Sequence, residues 1–241
     1  MNTTSRHIND DRTTSVLLNG GDAPTSATLA DPKLARWLAL GAVAGPVLFT
    51  LAWLVLGFLS PGYTAWGVRV APYSPISQGI SGLGLGDTAP YMNTAFVLCG
   101  VLLLAGAVGV FQSLREVGAA ARWTCAALLA LAGLGAAMDG VFTLESFFLH
   151  FIGFGLACGV SVVGFLVLGF QLRRLPRWQR FGNWLLLGSP LTLALIILYF
   201  LTFTPTVAGT QTGVAGLTER LLAIEVFAWF VALGWLAFRR P

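Results

Sequence analysis

Few side chains in this 241-residue chain can ionise, and those that suggest chemistry sit in or beside apolar runs. Glu225 interrupts the run LLAIEVFAWFVALGWLAF, residues 221–238. A carboxyl there needs a partner or a task, because a bare ionisable group in hydrocarbon is costly. Pairing with Arg69 or Arg220 would supply one, and a plain interhelical hydrogen bond another. Asp139 and His150 lie eleven residues apart, with Glu145 between them. On one continuous helix that spacing shares a face, but a turn must intervene. An Asp–His pair can shuttle protons, and the alternative is wet residues at a helix–helix turn. Glu225, Asp139, His150 and Glu145 are therefore the candidate catalytic side chains.

A second group lies in YSPISQGISGLGLGDTAP, residues 73–90. Its prolines and glycines exclude a regular helix. Ile76, Ile80, Leu83 and Leu85 make it too apolar for an ordinary linker, so it is expected to fold back onto the helix ends. Non-helical backbone at membrane depth is tolerated when it is buried in protein or lines a wet cavity. Gly-x-Gly turns can aim N–H groups at an anion, and Ser77, Ser81, Gly82 and Gly84, with Glu225, are the candidate ligand-binding residues. The dinucleotide fingerprint does not fit, since its third glycine falls on Asp87 and no βαβ strand precedes it. The competing reading is a cap that only seals the bundle.

The elements that must position these residues follow from composition. The chain is 56% hydrophobic and 10% charged, with mean hydropathy +0.79, too little charge to coat a water-soluble globule. Six runs are long enough to cross a bilayer: about 37–59, 92–111, 123–142, 151–172, 181–203 and 221–238. The expected fold is an all-α integral membrane protein, six transmembrane helices in one bundle spanning 37–241. Residues 1–36 are polar and read as a disordered cytoplasmic tail, with Asp31-Pro32 as a helix-start signal. If the amino terminus is inside, twelve Lys and Arg residues fall on inner segments and two, Arg69 and Arg220, on outer ones. This bias predicts a multi-pass protein of the cell membrane with both termini cytoplasmic. The glycine-rich stretch then lies in a structured outer loop between the first two spans. Thr218 is expected to cap the last helix, with Glu219 favouring its positive end. Pro190 is expected to kink the fifth span. Cys99, Cys125 and Cys158 read as packing residues.

The motifs carry a family resemblance. ISGLGLG followed by Asn93 and an apolar span resembles the uncharacterised prokaryotic membrane family catalogued as domain of unknown function 998, where a motif of the type I-S-x-L-G follows the first span. Ile80, Ser81, Gly82, Leu83 and Gly84 match it. GVFTLESFFLHFIGF, with Phe142, Glu145 and His150, and GLTERL, residues 216–221, are similar to two further family features. The chain departs from the pattern at Phe154, where a second histidine is frequent, and at Thr143-Leu144-Glu145, where Thr-Asp-Pro is frequent. The resemblance implies six spans and brings no established activity.

The function expected is binding of a lipid or amphipathic ligand in an outward-facing pocket lined by Ser77, Ser81, Asp139, Glu145, His150 and Glu225. A second class is an intramembrane enzyme acting on a lipid or isoprenoid, of acid-initiated cyclase or hydrolase type. Its acid would be Glu225 or Asp139, and Trp53, Phe142, Phe147, Phe148 and Trp229 are available to face a cation. A third is a small transporter, which polar groups gathered on one side argue against. One histidine outside the tail is too few for a zinc ligand set, and no nucleotide-binding loop, catalytic triad signature or zinc-protease motif is present. No metal, cofactor or nucleic-acid partner is expected. The membrane lipid is the expected partner, and the oligomeric state is left open.

Overall fold

The computed structural model describes residues 32–203 and 212–239. Residues 1–31, most of the expected tail, lie outside that description. Six helical stretches among the described residues are long and apolar enough to cross a membrane, from Lys33–Leu59 to Ala215–Arg239. The fold is an all-α membrane bundle, as the apolar runs predict.

The first span joins α1 (Pro32–Ala39) to α2 (Gly41–Leu59), so the last residues of the expected tail are already helical. The others are α3 (Ala89–Ser113), α4 (Ala119–Val141), a broken span of α5 (Phe147–Phe154) and α6 (Val160–Leu172), α7 (Gln179–Thr202) and α8 (Ala215–Arg239). Between α5 and α6 the backbone widens into one π-helical turn, Gly155–Gly159. Such turns often mark functional sites. Neighbouring spans pack in chain order, and α8 closes the ring against α2. Leu103, Leu129, Phe165, Leu168, Leu222 and Phe230 fill the interior.

At one end, basic side chains satisfy the carbonyls that helix ends leave open. Arg36 donates to Phe238 O at 2.9 Å. Arg122 donates to Phe111 O at 2.9 Å and stacks over its ring. Glu116 ties two loops of this end together through Arg177 (2.9 Å) and the indole of Trp178 (3.3 Å).

The opposite end is built by residues 60–88. It opens with a hairpin that composition did not announce: β1 (Tyr63–Ala65) pairs antiparallel with β2 (Val68–Val70). Trp66 and Gly67 turn between them at φ 48° and 77°, the all-positive pattern of a two-residue hairpin turn. Three-residue strands joined by Trp-Gly, without the usual Asn-Gly signal, are hard to see in sequence. Tyr63 and Val70 are buried, while Thr64 and Arg69 are exposed on the other face.

Candidate functional site

The glycine-rich stretch folds back over the open end of the bundle. Ile80–Gly84 forms a tight 3₁₀ turn that buries Ile80 and Leu83. The Thr88 hydroxyl donates to Leu83 O at 2.8 Å and the Asn93 amide to Gly84 O at 3.2 Å. Two adjacent side chains of α8 hold the rest. Glu219 Oε2 accepts the Ile80 N–H at 3.0 Å, and a side chain at Gly79 would collide with that carboxylate. The N–H expected to meet an outside anion thus meets one supplied by the chain itself. One Arg220 nitrogen donates to Pro75 O, Gln78 O and Gly216 O at 2.9, 3.0 and 2.9 Å. The other donates to the Tyr73 hydroxyl at 2.5 Å, and the guanidinium lies 5.2 Å from the centre of the Trp53 ring. The Tyr73 hydroxyl donates in turn to Gly79 O at 3.0 Å. Burial pushes the Tyr73 pKa above the usual phenol range although Arg220 pulls the other way. Arg220 therefore grips the loop backbone from inside the last span.

One expectation is corrected here, and at Glu225 the interhelical hydrogen bond is found in place of an arginine pair. Thr218 is not a cap: α8 begins at Ala215, and the Thr218 hydroxyl sits within its first turn, bonded to Ala215 O (3.0 Å) and to the Thr202 hydroxyl (2.8 Å). Glu225 pairs with neither arginine. Its oxygens accept from the Thr192 hydroxyl at 2.8 Å and the Trp229 indole at 2.6 Å. Glu225 is thus satisfied between α7 and its own helix, one turn or more below the loop. Helix α7 runs through Pro190 as a single element.

Under the loop three residues from separate segments meet. Ser81 Oγ lies 2.7 Å from His150 Nε2. His150 Nδ1 lies 2.8 Å from Phe142 O, and 3.5 Å from Asp139 Oδ1. Only a protonated Nδ1 can donate to a carbonyl, so the neutral ring presents Nε2 as an acceptor for the Ser81 hydroxyl. The turn at 142–146 brings Asp139 on α4 beside His150 on α5. Close contact there depends on Gly153, where a side chain would collide with Asp139 Oδ1. Asp139 Oδ1 is buried with no hydrogen-bond partner, an unusual state for a buried acceptor. Ser81 and His150 thus form a hydroxyl–imidazole pair whose second ring nitrogen is held by Phe142 O, with Asp139 alongside. Among the described residues no three His, Cys, Asp or Glu side chains gather to hold a metal ion.

Ser81 stands where three cavities meet. A chamber of about 50 Å³ on the loop side has a mixed wall, with Tyr63, Ser77, Gln78 and Glu219 beside Trp66, Leu144 and Phe203. A second, about 40 Å³, reaches into the bundle past Asp139, Phe154 and Phe227. The third, about 170 Å³, lies among Phe147, His150, Phe151, Phe154 and Phe200. Tyr199 lines the first and third with Ser81.

The structure thus brings together Ser81, His150 and Asp139, with Ser77 and Gly82 in the wall of the loop-side chamber. Ser77 accepts from the Gln78 amide at 3.2 Å. Gly84 packs against Asn93, and neither it nor Glu225 is among the residues lining the three cavities. Glu145 is exposed and accepts the Trp66 N–H at 3.2 Å, tying the hairpin to the 142–146 turn. Sequence reasoning missed the Ser–His bond, Tyr199 and the grip of Glu219 and Arg220. The signal for the grip was present: Glu-Arg at 219–220 puts two charges side by side at the start of an apolar helix.

Residues 43–236 match the family model described as protein of unknown function, DUF998. Neither a curated protein nor a solved structure matches the chain.

Proposed function

The chain belongs to the DUF998 family, and we propose that it is a membrane-embedded acyl-ester hydrolase or acyltransferase using Ser81 as nucleophile. The observation that carries the reading is the 2.7 Å contact of Ser81 Oγ with His150 Nε2, while the other ring nitrogen is held 2.8 Å from Phe142 O. Ser81 Oγ attacks the ester carbonyl carbon as its proton passes to His150 Nε2. The Asp139 carboxylate, beside Nδ1, stabilises the imidazolium that forms. Collapse of the tetrahedral intermediate expels the alcohol, which takes the proton from His150. Water or a second alcohol then releases the acyl group from Ser81. Tyr199, which lines two of the cavities together with Ser81, is the proposed donor to the oxyanion. The arginine-rich opposite end supports placing this site at the outer face of the cell membrane, with both termini cytoplasmic.

The test is a fluorophosphonate applied to the purified full chain in lipid discs. Its phosphorus should bond to Ser81 Oγ with loss of fluoride, read as an added mass on the peptide holding Ser81. A folded chain that takes up no phosphonate sinks the reading. A second reading has a specific observation behind it, because Glu219 takes the Ile80 N–H, next to the nucleophile. In it the Ser81–His150 bond only ties the loop down over a lipid-binding pocket. An unlabelled protein that carries a lipid in native mass spectra, lost on Ser81→Ala substitution, selects that reading.

A further inference from the structure

The walls of the cavities around Ser81 differ sharply, and the difference specifies a substrate. From this geometry, and resting on the nucleophile reading above, we infer that the substrate is an ester lipid with an uncharged polar head, whose acyl chain reaches Ser81 sideways from the bilayer between α5 and α7.

The sideways path is a consequence of the broken fourth span. Helix α6 packs closely along α7. Past the π-helical turn, α5 meets α7 through rings: Phe151 and Phe200 lie 6.0 Å apart, and Phe154 and Tyr199 5.4 Å. The 170 Å³ cavity lies among these rings, with Ser81 and His150 in its wall. Phe147, Phe151 and Phe200 are 53%, 47% and 43% exposed. In a bundle whose spans face hydrocarbon, that exposed aromatic surface is bilayer-facing, so the cavity suits an alkyl chain. An edge of phenyl rings can also give way by rotation about its side-chain torsions, which a wall of packed backbone cannot.

The head-group preference comes from charge. The chamber on the loop side of Ser81 sets the Ser77 hydroxyl, the Gln78 amide and the Glu219 carboxylate beside apolar side chains, and among the described residues no lysine or arginine lines it. Neither arginine of this end lines the chamber. Arg220 is spent on three carbonyls and Tyr73. Arg69, paired with Thr64 across the hairpin, lies on the exposed face away from Tyr63 and Val70. A phosphate head would sit against a carboxylate whose neighbouring cation, Arg220, is already held on the loop carbonyls and Tyr73, whereas glycerol or sugar hydroxyls can donate to that carboxylate and accept from the amide.

The experiment reconstitutes the full chain in phosphatidylcholine discs. It compares release of oleate from 1-oleoylglycerol and from 1-oleoyl-lysophosphatidic acid, which share the acyl chain and the glycerol ester. The neutral ester should show kcat/KM at least about tenfold higher, and Glu219→Gln should narrow that ratio. Phe200→Trp, which thickens the aromatic wall, should lower oleate release at least about fivefold more than it lowers hydrolysis of p-nitrophenyl acetate. Equal turnover of the two oleoyl esters, or turnover of neither while fluorophosphonate still labels Ser81, overturns the inference and leaves the nucleophile assignment standing. Loss of labelling together with turnover overturns both.

Discussion

Asp139 and Glu225 are both carboxyls set into apolar helices, and the fold keeps them in opposite ways. Glu225 is fully provided for: one oxygen takes the Thr192 hydroxyl and the other the Trp229 indole. Asp139 is left short. Its Oδ1 is buried without a hydrogen-bond partner, 3.5 Å from His150 Nδ1 and beside a cavity that also touches Ser81. An orphaned buried acceptor costs about 1–3 kcal/mol. On the mechanism proposed above, a protonated His150 would supply the partner that Asp139 lacks at rest. The contrast teaches that isolation in the sequence, which made Glu225 the most conspicuous acid, is a poorer guide to chemistry than incomplete satisfaction in the fold.

The most severe break of this contrast is at Ser81, the proposed nucleophile. Ser81→Ala should abolish fluorophosphonate labelling, with the helical fold unchanged by circular dichroism. Persistent labelling of the variant at another residue would show the phosphonate to be indiscriminate. Next in size is Asp139→Asn. The amide is nearly isosteric but cannot balance an imidazolium, so labelling should slow at least about 100-fold. A rate within about threefold of the parent would put Asp139 on the same footing as Glu225 and end the comparison.

The two carboxyls also mark how far the sequence could be read. Six spans were legible because uninterrupted apolar runs admit few other structures. Boundaries were not: α8 starts at Ala215 and α5 at Phe147, earlier than the apolar runs, because Glu219, Arg220 and His150 interrupt hydropathy while remaining helical. That interruption made Thr218 look like a cap. The gathering of Ser81, Asp139 and His150 at one end was legible from loop order. Their contact was not, because it depends on a turn at 142–146, on the absence of a side chain at Gly153 and on how deeply a 3₁₀ turn sinks into the bundle. No spacing rule links residues 81, 139 and 150, which lie on three separate elements. The hairpin escaped for the same reason: three-residue strands leave almost no periodicity.

The grip of α8 on the loop sharpens the comparison from the stability side. Arg220→Met keeps the bulk of the stem but strands the carbonyls of Pro75 and Gln78 beneath the loop. Removing a buried charged donor of this kind costs about 3 kcal/mol. The melting temperature in detergent should fall clearly, and labelling should fall with it, since Ser81 rides on the loop that Arg220 holds. Arg220→Lys should recover only part of both, because an ammonium cannot reproduce the planar fork that spans the carbonyls and the Tyr73 hydroxyl. A loop that melts separately while Ser81 still labels at the parental rate would show the grip to be irrelevant to the site.

The smallest effect is expected at Glu225, and it tests the other half of the contrast. Glu225→Gln leaves an amide oxygen for the Trp229 indole. The Thr192 hydroxyl already lies 3.0 Å from Gly188 O, so its hydrogen can turn to that carbonyl while its oxygen accepts from the new amide. Both bonds of the cluster therefore have neutral replacements, and the loss of stability should stay near about 1 kcal/mol. Labelling of Ser81 and retention of any co-purifying lipid should change by less than about twofold. A loss as deep as that of Asp139→Asn would mean that the negative charge of Glu225 acts on the site from well below the loop. Satisfaction by hydrogen bonds would then have failed to separate a structural acid from a functional one.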